Sequence, residues 1–467
     1  MRTRGAMVLP LALAQFVASY AATTMNVAIS AIAHDLGTTV IGVQTTITLF
    51  TLTMAALMVP GSKLTDIWGR KRCFLIGLVV YGTGALLAAF APGPGLLLVG
   101  YSLLEGVGSA LMIPPIYILV TVSFADPVVR ARNFGVVSGA GALGAAAGPL
   151  LGGLVTSWLG WRASFLLQVA IVVWVIVAAR HIVDRPRPRP RPGFDLWGAV
   201  LSGAGLFFVV FGVLRTGTYG WGVAREDFTI GEVVLLPAGG LSPVWVFVGI
   251  GALVLYGFFR HIRVAREPLC SPSLFRDRTS NLGLGTQTVQ WLVMQGAFFV
   301  VSVYLQQERG FSAVHTGLVL LPATVGVLAA SGVAARMARR NPARRLVIAG
   351  FAASAAGLGL LLALVRDDSA ALVFAPGLFL LGAGIGTMLT ASVNLVQSAW
   401  PDELQGDISG VSRAVSNLGS SLGTALAGSV LAGAAAPGGG PFAAALVVLA
   451  GFAVLGLVVA ALVPRRR

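Results

Sequence analysis

Charged residues are scarce in this sequence: they make up 10% of its 467 residues, whereas hydrophobic residues make up 56%. Soluble domains carry about 25% charged residues, so a globular protein surrounded by water is excluded. Apolar runs of about 20 residues, each long enough to cross a bilayer about 30 Å thick, recur along the whole sequence. The sequence therefore predicts an all-α polytopic membrane protein.

Cysteine and histidine are also scarce, with two cysteines and four histidines. Cys73 and Cys270 fall at predicted cytoplasmic ends of membrane spans, where a disulfide would be reduced. The histidines lie at separate span ends, so the sequence offers no disulfide framework and no cluster of zinc or haem ligands. Because the spans also contain no Ser/His/Asp set, we expect no metal, no cofactor and no enzymatic activity.

The apolar runs predict fourteen transmembrane helices. Their approximate positions, good to a few residues, are 7–33, 42–60, 73–91, 95–124, 134–158, 161–182, 195–214, 243–262, 281–305, 315–338, 345–366, 371–397, 408–433 and 441–463.

Basic residues are distributed unevenly between the two sides of these spans. With a cytoplasmic N-terminus, 26 of the 32 basic residues fall in inner segments, five fall in outer segments, and Arg413 falls within a span. The positive-inside rule therefore predicts that both termini are cytoplasmic. The net charge of +15 is then a topology signal, and we expect a lipid bilayer rather than nucleic acid as the partner of these charges.

Two basic linkers divide the sequence into three parts. The first, at 185–192, alternates arginine with proline and predicts an extended spacer; the second covers Arg260 to Arg278. We therefore predict an N-terminal six-helix bundle at 1–182, a linker with two inserted helices at 183–280, and a C-terminal six-helix bundle at 281–467. A glycine and a tight basic loop follow the second span of both bundles, and weak internal symmetry of this kind is typical of transporters.

Span five contains glycines at every fourth position and one proline. Gly144, Gly148 and Gly152 share a helical face that another backbone can approach closely, and Gly153 follows them. Pro149 removes a backbone donor and permits a bend. Ordinary packing of small residues is the alternative interpretation of this pattern.

The string from Gly144 to Gly153 resembles the antiporter motif of the major facilitator superfamily. In the loop after span two, Asp66, Gly69, Arg70 and Lys71 resemble the conserved cytoplasmic loop of that superfamily. With fourteen spans, the sequence is similar to the drug:proton antiporters of this superfamily. The resemblance implies the major facilitator fold: two six-helix bundles rock around a central cavity, with two helices inserted between them, and proton entry drives substrate export.

The sequence departs from the family where the family carries charge in its spans. Ala21 stands where an acidic residue is usual in span one, and Ser102 and Glu105 stand where span four usually has arginine and glutamine. Glu105 is the one acid deep within a span, about 15 Å from the predicted outer end. Because ionisable groups in a membrane are costly, we predict that Glu105 couples proton movement to transport. A protonated glutamic acid bonded to a neighbouring helix is the alternative.

Arg413 is the other charge within a span. In this superfamily its span packs near the loop after span two, so we expect Asp66, Gly69, Arg70 and Arg413 to form a cytoplasmic gate. Snorkelling of Arg413 to the head groups is the alternative.

Polar side chains within spans suggest a substrate cavity with apolar walls, although each amide could equally bond a neighbouring helix. The residues assigned to this cavity are Asn26, Tyr101, Ser102, Gln168, Gln287, Gln290, Trp291 and Asn394.

The resemblance implies a proton-coupled exporter of amphipathic small molecules, such as drugs, antibiotics or secreted metabolites, in a bacterial inner membrane. The expected partners are a small-molecule substrate and protons, and the expected state is a monomer. A lipid or nutrient transporter of the same fold is the first alternative. A membrane scaffold or sensor is the second, although the longest outer segment, 215–242, is too short for an added soluble domain.

Overall fold

The computed structural model describes residues 7–124, 126–180, 182, 193–230, 233–337, 341–366, 369–397, 400–401, 404–433 and 440–464. The alternating arginines and prolines at 185–192 lie outside the described residues. A long helix is found at each of the fourteen predicted positions. The first six helices are α1 (Val8–Val27), α2 (Val40–Trp68), α3 (Arg70–Ala89), α4 (Gly106–Ser123), α5 (Pro127–Leu159) and α6 (Trp161–Ala179).

Eight more long helices follow in the second part of the chain. They are α7 (Leu196–Leu214), α8 (Pro243–Val264), α9 (Arg278–Val303), α10 (Ala313–Met337), α11 (Ala343–Leu364), α12 (Ala375–Gln397), α13 (Gln405–Gly433) and α14 (Pro441–Leu462). Shorter helical segments are Ile29–Asp35, Pro94–Leu97, Thr216–Tyr219, Pro272–Phe275 and Ala371–Phe374. Two stretches are π-helical, Leu98–Glu105 and Tyr304–Glu308.

Twelve helices of the described chain are long and apolar enough to cross a membrane, and a thirteenth qualifies if the bent α5 is one span. The remaining long helix, α13, has 29 residues but does not meet the same criterion of hydropathy. The reason is its polar face, which carries Ser412, Ser416, Asn417 and Ser420. The count of fourteen spans therefore stays a prediction.

The inserted helices α7 and α8 pack on each other through glycine. A Cβ added at Gly205 or at Gly251 would come within 3 Å of atoms of the facing helix, so the two backbones approach closely. Helix α7 lies against α2, where Gly203 faces Ala56, and the short helix after it lies against α13, where Gly217 faces Ser429. The inserted pair thus lies beside the interface between α2 and α13.

A small hairpin lies between two helices of the otherwise all-helical fold. Strands β1 (Phe228–Ile230) and β2 (Val233–Leu236) pair antiparallel within the segment that joins α7 to α8. The run Phe228-Thr229-Ile230 is rich in β-branched and aromatic residues, which favour strands. The hairpin was not predicted because the strands are only three and four residues long.

Gly69 forms the whole connection between α2 and α3. Its φ is +98° and its ψ is 146°, a backbone conformation that residues with a Cβ rarely adopt. The turn therefore requires glycine. It places Asp66 at the end of α2 and Arg70 at the start of α3.

Both cysteines are inaccessible in the native fold, with exposed fractions of 0% for Cys73 and 1% for Cys270. Burial raises the pKa of the Cys270 thiol to about 12, so the reactive thiolate is rare at neutral pH. We expect that a maleimide does not label the native protein and labels the unfolded protein at two sites, as measured by mass spectrometry after brief exposure. The variant Ala238→Cys, at an exposed position, is the reactive control. Rapid labelling of Cys73 or Cys270 in the native protein would contradict their burial.

Candidate functional site

The glycine face of α5 packs on α1. A Cβ added at Gly144 would lie 2.2 Å from the Phe16 carbonyl oxygen, and one added at Gly148 would lie 2.0 Å from Thr23 Oγ1. At Gly152 the nearest atom is Thr24 Cγ2, at 2.5 Å. A side chain at Gly144 would meet the α1 backbone and force the two helices apart, whereas at Gly148 and Gly152 either the Thr23 and Thr24 side chains would have to move or the helices would have to separate.

Pro149 and Gly153 mark the part of α5 that turns toward the second half of the chain. The helix bends by 46° between Gly135–Ala145 and Ala147–Leu159. Pro149 has no backbone N–H, so the Ala145 carbonyl at the bend lacks its usual helical donor. Beyond the bend, an added Cβ at Gly153 would lie 2.5 Å from the Ala313 carbonyl oxygen of α10. The motif therefore faces α1 along one stretch and α10 along the next.

Several contacts between the first and the second half of the chain lie at the end of the array where α1 ends and α2 begins, opposite the Gly69 turn and here named the opposite end. Gln306 Nε2 donates to the Asn26 carbonyl (3.1 Å) and its Oε1 accepts from Ser30 N (3.1 Å). Gln44 Nε2 donates to the Thr424 carbonyl at 3.0 Å, and Ser157 Oγ accepts from Val314 N at 3.0 Å. These bonds join four pairs of segments across the molecule. At the Gly69 end, Ser62 Oγ donates to the Gly406 carbonyl at 3.4 Å.

Asp35 holds three loops together at the opposite end. Its carboxylate accepts hydrogen bonds from the Arg162 guanidinium and from Trp161 Nε1, the latter at 3.1 Å. Arg162 also donates to the Ala91 carbonyl at 2.9 Å. The hydrogen bond from Arg162 lowers the pKa of the Asp35 carboxyl, so this carboxylate is ionised at neutral pH.

A central cavity lies midway along the helices, with about 570 Å³ of empty space including its mouth. Its polar lining residues are Gln15, Ser19, Thr23, Thr51, Gln295, Arg413, Ser416, Asn417 and Ser420. Its apolar lining residues are Ala18, Ala22, Met54, Met58, Ile113, Ala145, Trp291 and Met294. Helices α1, α2, α4 and α5 of the first half and α9 and α13 of the second half contribute to it, so the cavity lies between the two halves.

Of the eight residues that the sequence assigned to a cavity, Trp291 lines the central cavity and Gln168 lines a smaller one. Three others bond neighbouring helices: Tyr101 to the Ala21 carbonyl, and Gln287 and Gln290 to serine hydroxyls.

The remaining three cavity candidates are also placed away from the central cavity. Ser102 donates to the Thr46 carbonyl at 2.7 Å. Asn26 is buried, and neither side-chain amide atom has a hydrogen-bond partner among the described residues; Asn394 is exposed. Sequence reasoning missed Gln15 and Ser19 on α1, although their i, i+4 spacing with Thr23 indicates one polar helical face.

Glu105 is fully buried, at the end of the π-helical stretch that precedes α4. Neither carboxyl oxygen has a hydrogen-bond partner among the described residues. The close glycine packing of Gly84 on this stretch places Glu105 beside α3, where Tyr81 is its neighbour. Glu105 therefore lies inside the first half of the molecule, outside the lining of the central cavity.

Tyr81 connects Glu105 to a second, smaller cavity. Its hydroxyl donates to Gln168 Oε1, and Gln168 lines a small cavity between α1 and α6. Thr24 and Met25 of α1 line the same cavity, and Thr23 of that helix faces the central cavity. Tyr81 and Gln168 thus form a hydrogen-bonded pair between Glu105 and the helix that separates the two cavities.

Arg413 and Asp66, which the sequence assigned to one gate, do not form an ion pair within the described part of the chain. The Arg413 guanidinium donates to the Tyr117 hydroxyl and lies 4.8 Å from the centre of the Tyr117 ring. The charged neighbours of Asp66 are Arg70, Lys63 and Asp407. In this conformation Arg413 faces the central cavity and does not contact Asp66.

The gate of Asp66 and Arg413 stays a prediction for a conformation in which the two halves close around Asp66. If they stabilise that conformation together, Asp66→Asn and Arg413→Ala each shift the balance of conformations, with a coupling energy of about 0.5 to 3 kcal/mol. Distances between spin labels at the two ends of the molecule measure this balance in the two variants and in the double variant. Strictly additive effects would exclude the contact.

The sequence of the chain is similar to those of known proteins. Residues 11–424 match the Major Facilitator Superfamily. The cephamycin export protein CmcT of Amycolatopsis lactamdurans is 31% identical over 396 residues, which cover 81% of this chain and 76% of that protein. The puromycin resistance protein of Streptomyces alboniger is 28% identical over 426 residues, which cover 91% and 81% of the two chains.

A solved structure shares the fold. The crystal structure of the peptide transporter POT in complex with alafosfalin superposes with a TM-score of 0.69 and covers 98% of this chain and 94% of that chain. The sequence identity is 15%, so this likeness concerns the arrangement of helices and not the substrate.

Proposed function

Since the chain belongs to the Major Facilitator Superfamily, we propose that it exports amphipathic small molecules in exchange for protons. It is a multi-pass membrane transporter and not an enzyme. The observation that carries the proposal is the central cavity, which both halves of the chain line with polar and apolar side chains. Relatives at about 30% identity are named for the export of cephamycin and for puromycin resistance, which supports substrates of that kind.

Alternating access requires that the two halves separate at one end while they meet at the other. The hydrogen bonds from Gln306 and Gln44 join the halves at the opposite end. With the termini cytoplasmic, as the positive-inside rule predicts, this end faces the cell exterior. We therefore propose that this conformation is closed to the exterior and that export requires these bonds to break.

Proton coupling is proposed for Glu105. A fully buried carboxyl without a hydrogen-bond partner is costly to ionise unless water or a cation reaches it. Tyr81, the polar neighbour of Glu105, is hydrogen-bonded to Gln168, and we propose that these two side chains extend a polar path from Glu105 to α1. Movement of α1 against α5 during the transport cycle would change the access of water to this path, which would link the protonation of Glu105 to the position of the substrate.

Purified protein in proteoliposomes with an imposed pH gradient tests the proposed function. A screen of antibiotics and amphipathic metabolites should reveal compounds that accumulate only when the gradient is present, and accumulation should stop when an ionophore dissipates it. Accumulation that is equal with and without the gradient would contradict proton coupling.

The localisation that we propose is a bacterial inner membrane with both termini cytoplasmic.

A further inference from the structure

The central cavity contains one cation and no carboxylate among its described lining residues. The cation is Arg413, half-buried on α13. Three acids of the neighbouring segments lie elsewhere: Glu105 is fully buried beside α3, Asp66 neighbours Arg70, and Asp407 accepts a hydrogen bond from Ser271 N at 3.1 Å. The charge of Arg413 is therefore not neutralised by a side chain within the described part of the chain.

The contacts of Arg413 leave most of its donors free for a ligand. A guanidinium has five N–H donors, and among the described contacts the side chain gives one to a protein acceptor, the Tyr117 hydroxyl. The ring of Tyr117 also lies against the guanidinium, so the aromatic face and the hydroxyl together hold its orientation. A planar guanidinium held in this way matches a carboxylate through two parallel hydrogen bonds.

The other walls of the cavity are suited to a ring system. Trp291, Met54, Met58 and Met294 contribute aromatic and thioether surface, and methionine side chains adapt to irregular apolar ligands. A cavity of this type buries the apolar part of a ligand and fixes its orientation through a few polar groups. Because removal of a cation from water is costly unless an anion accompanies it, an occupant with a negative charge is favoured.

We propose that this cavity binds amphipathic organic anions, with the acidic group of the ligand on Arg413 and its apolar rings against Trp291 and the methionines. This inference rests on the proposed function, because it names the substrate class of the same cavity. It makes Arg413 a residue that determines charge selectivity, and Tyr117 a residue that positions it.

Binding of three ligands that share one ring system tests the inference. The probes are 1-naphthaleneacetate, its neutral amide 1-naphthaleneacetamide, and the cation 1-naphthylmethylammonium, each measured by equilibrium dialysis against the full-length protein in detergent. We expect the anion to bind about 10- to 100-fold more tightly than the amide, because hydrogen bonds to charged groups contribute about 1.5–3 kcal/mol. Arg413→Gln should remove this preference, and Arg413→Lys should keep part of it.

Arg263→Gln is the matched control, because it removes the same charge from an exposed position at the end of α8. It should leave the preference for the anion unchanged. The inference is overturned if the wild type binds the amide or the cation as tightly as the anion, or if Arg413→Gln retains the preference. Because binding in detergent needs no pH gradient, these outcomes are distinct from a failure of proton coupling, which the proteoliposome assay reports.

Discussion

Glu105→Gln is expected to reduce transport driven by a pH gradient to background while leaving the protein folded and able to bind substrate. Glutamine preserves the shape of the side chain but cannot release a proton. The site is fully buried and both carboxyl oxygens lack a hydrogen-bond partner among the described residues, so the exchange is not expected to break a described hydrogen bond. Transport in proteoliposomes, with and without an imposed gradient, measures the effect.

Two further variants sharpen this result. Glu105→Asp keeps a carboxyl group but withdraws it by one methylene, so partial coupling is expected. Glu226→Gln makes the same exchange at an exposed position and should transport like the wild type. Full gradient-driven transport by Glu105→Gln would mean that the Glu105 carboxyl has only a structural role. Asp66 would then be the next candidate for the proton-coupling acid.

Gly148→Leu is expected to abolish transport while the protein still inserts into the membrane. The helix stays apolar, but even a Cβ at this position would lie 2.0 Å from Thr23 Oγ1, and α1 and α5 could not keep their close approach. The lining of the central cavity includes Thr23 and Ala145 from these two helices, so their separation changes the site directly. Transport per inserted molecule, quantified by immunoblot of membrane fractions, is the measurement.

Gly139→Leu provides the matched control on the same helix. A Cβ added at Gly139 meets nothing within 4 Å, so this variant should transport normally. Gly148→Ala should give an intermediate loss, because the smaller side chain requires a smaller shift of α1. Normal transport by Gly148→Leu would contradict the assignment of a close-packing role to this face of α5.

The sequence predicted the positions of the long helices because the length and hydropathy of a membrane span are local properties. It also placed Gly144, Gly148 and Gly152 on one packing face, since the repeat of four residues fixes that face within a single helix. The partner of the face could not be read from the same repeat. Only the packed structure shows that the face meets Phe16, Thr23 and Thr24 of α1.

The substrate cavity could be predicted only in part. A buried polar side chain can line a cavity or bond a neighbouring helix, and Gln287 and Gln290 bond serines whereas Trp291, one residue farther along α9, lines the cavity. Arg413 was identified from its position within a span, but its partner Tyr117 lies 296 residues away in sequence. Such contacts depend on how distant helices pack, which periodicity within one helix does not contain.

Proton release on substrate addition tests the central claim most directly, because it measures the exchange of proton and substrate on the protein itself. Purified protein in weakly buffered detergent solution, with a pH indicator, is mixed with a substrate identified in the proteoliposome screen. The wild type and Glu226→Gln should release protons in proportion to the substrate bound, and Glu105→Gln should bind substrate without release. Equal release by the wild type and Glu105→Gln would show that the proton site lies elsewhere.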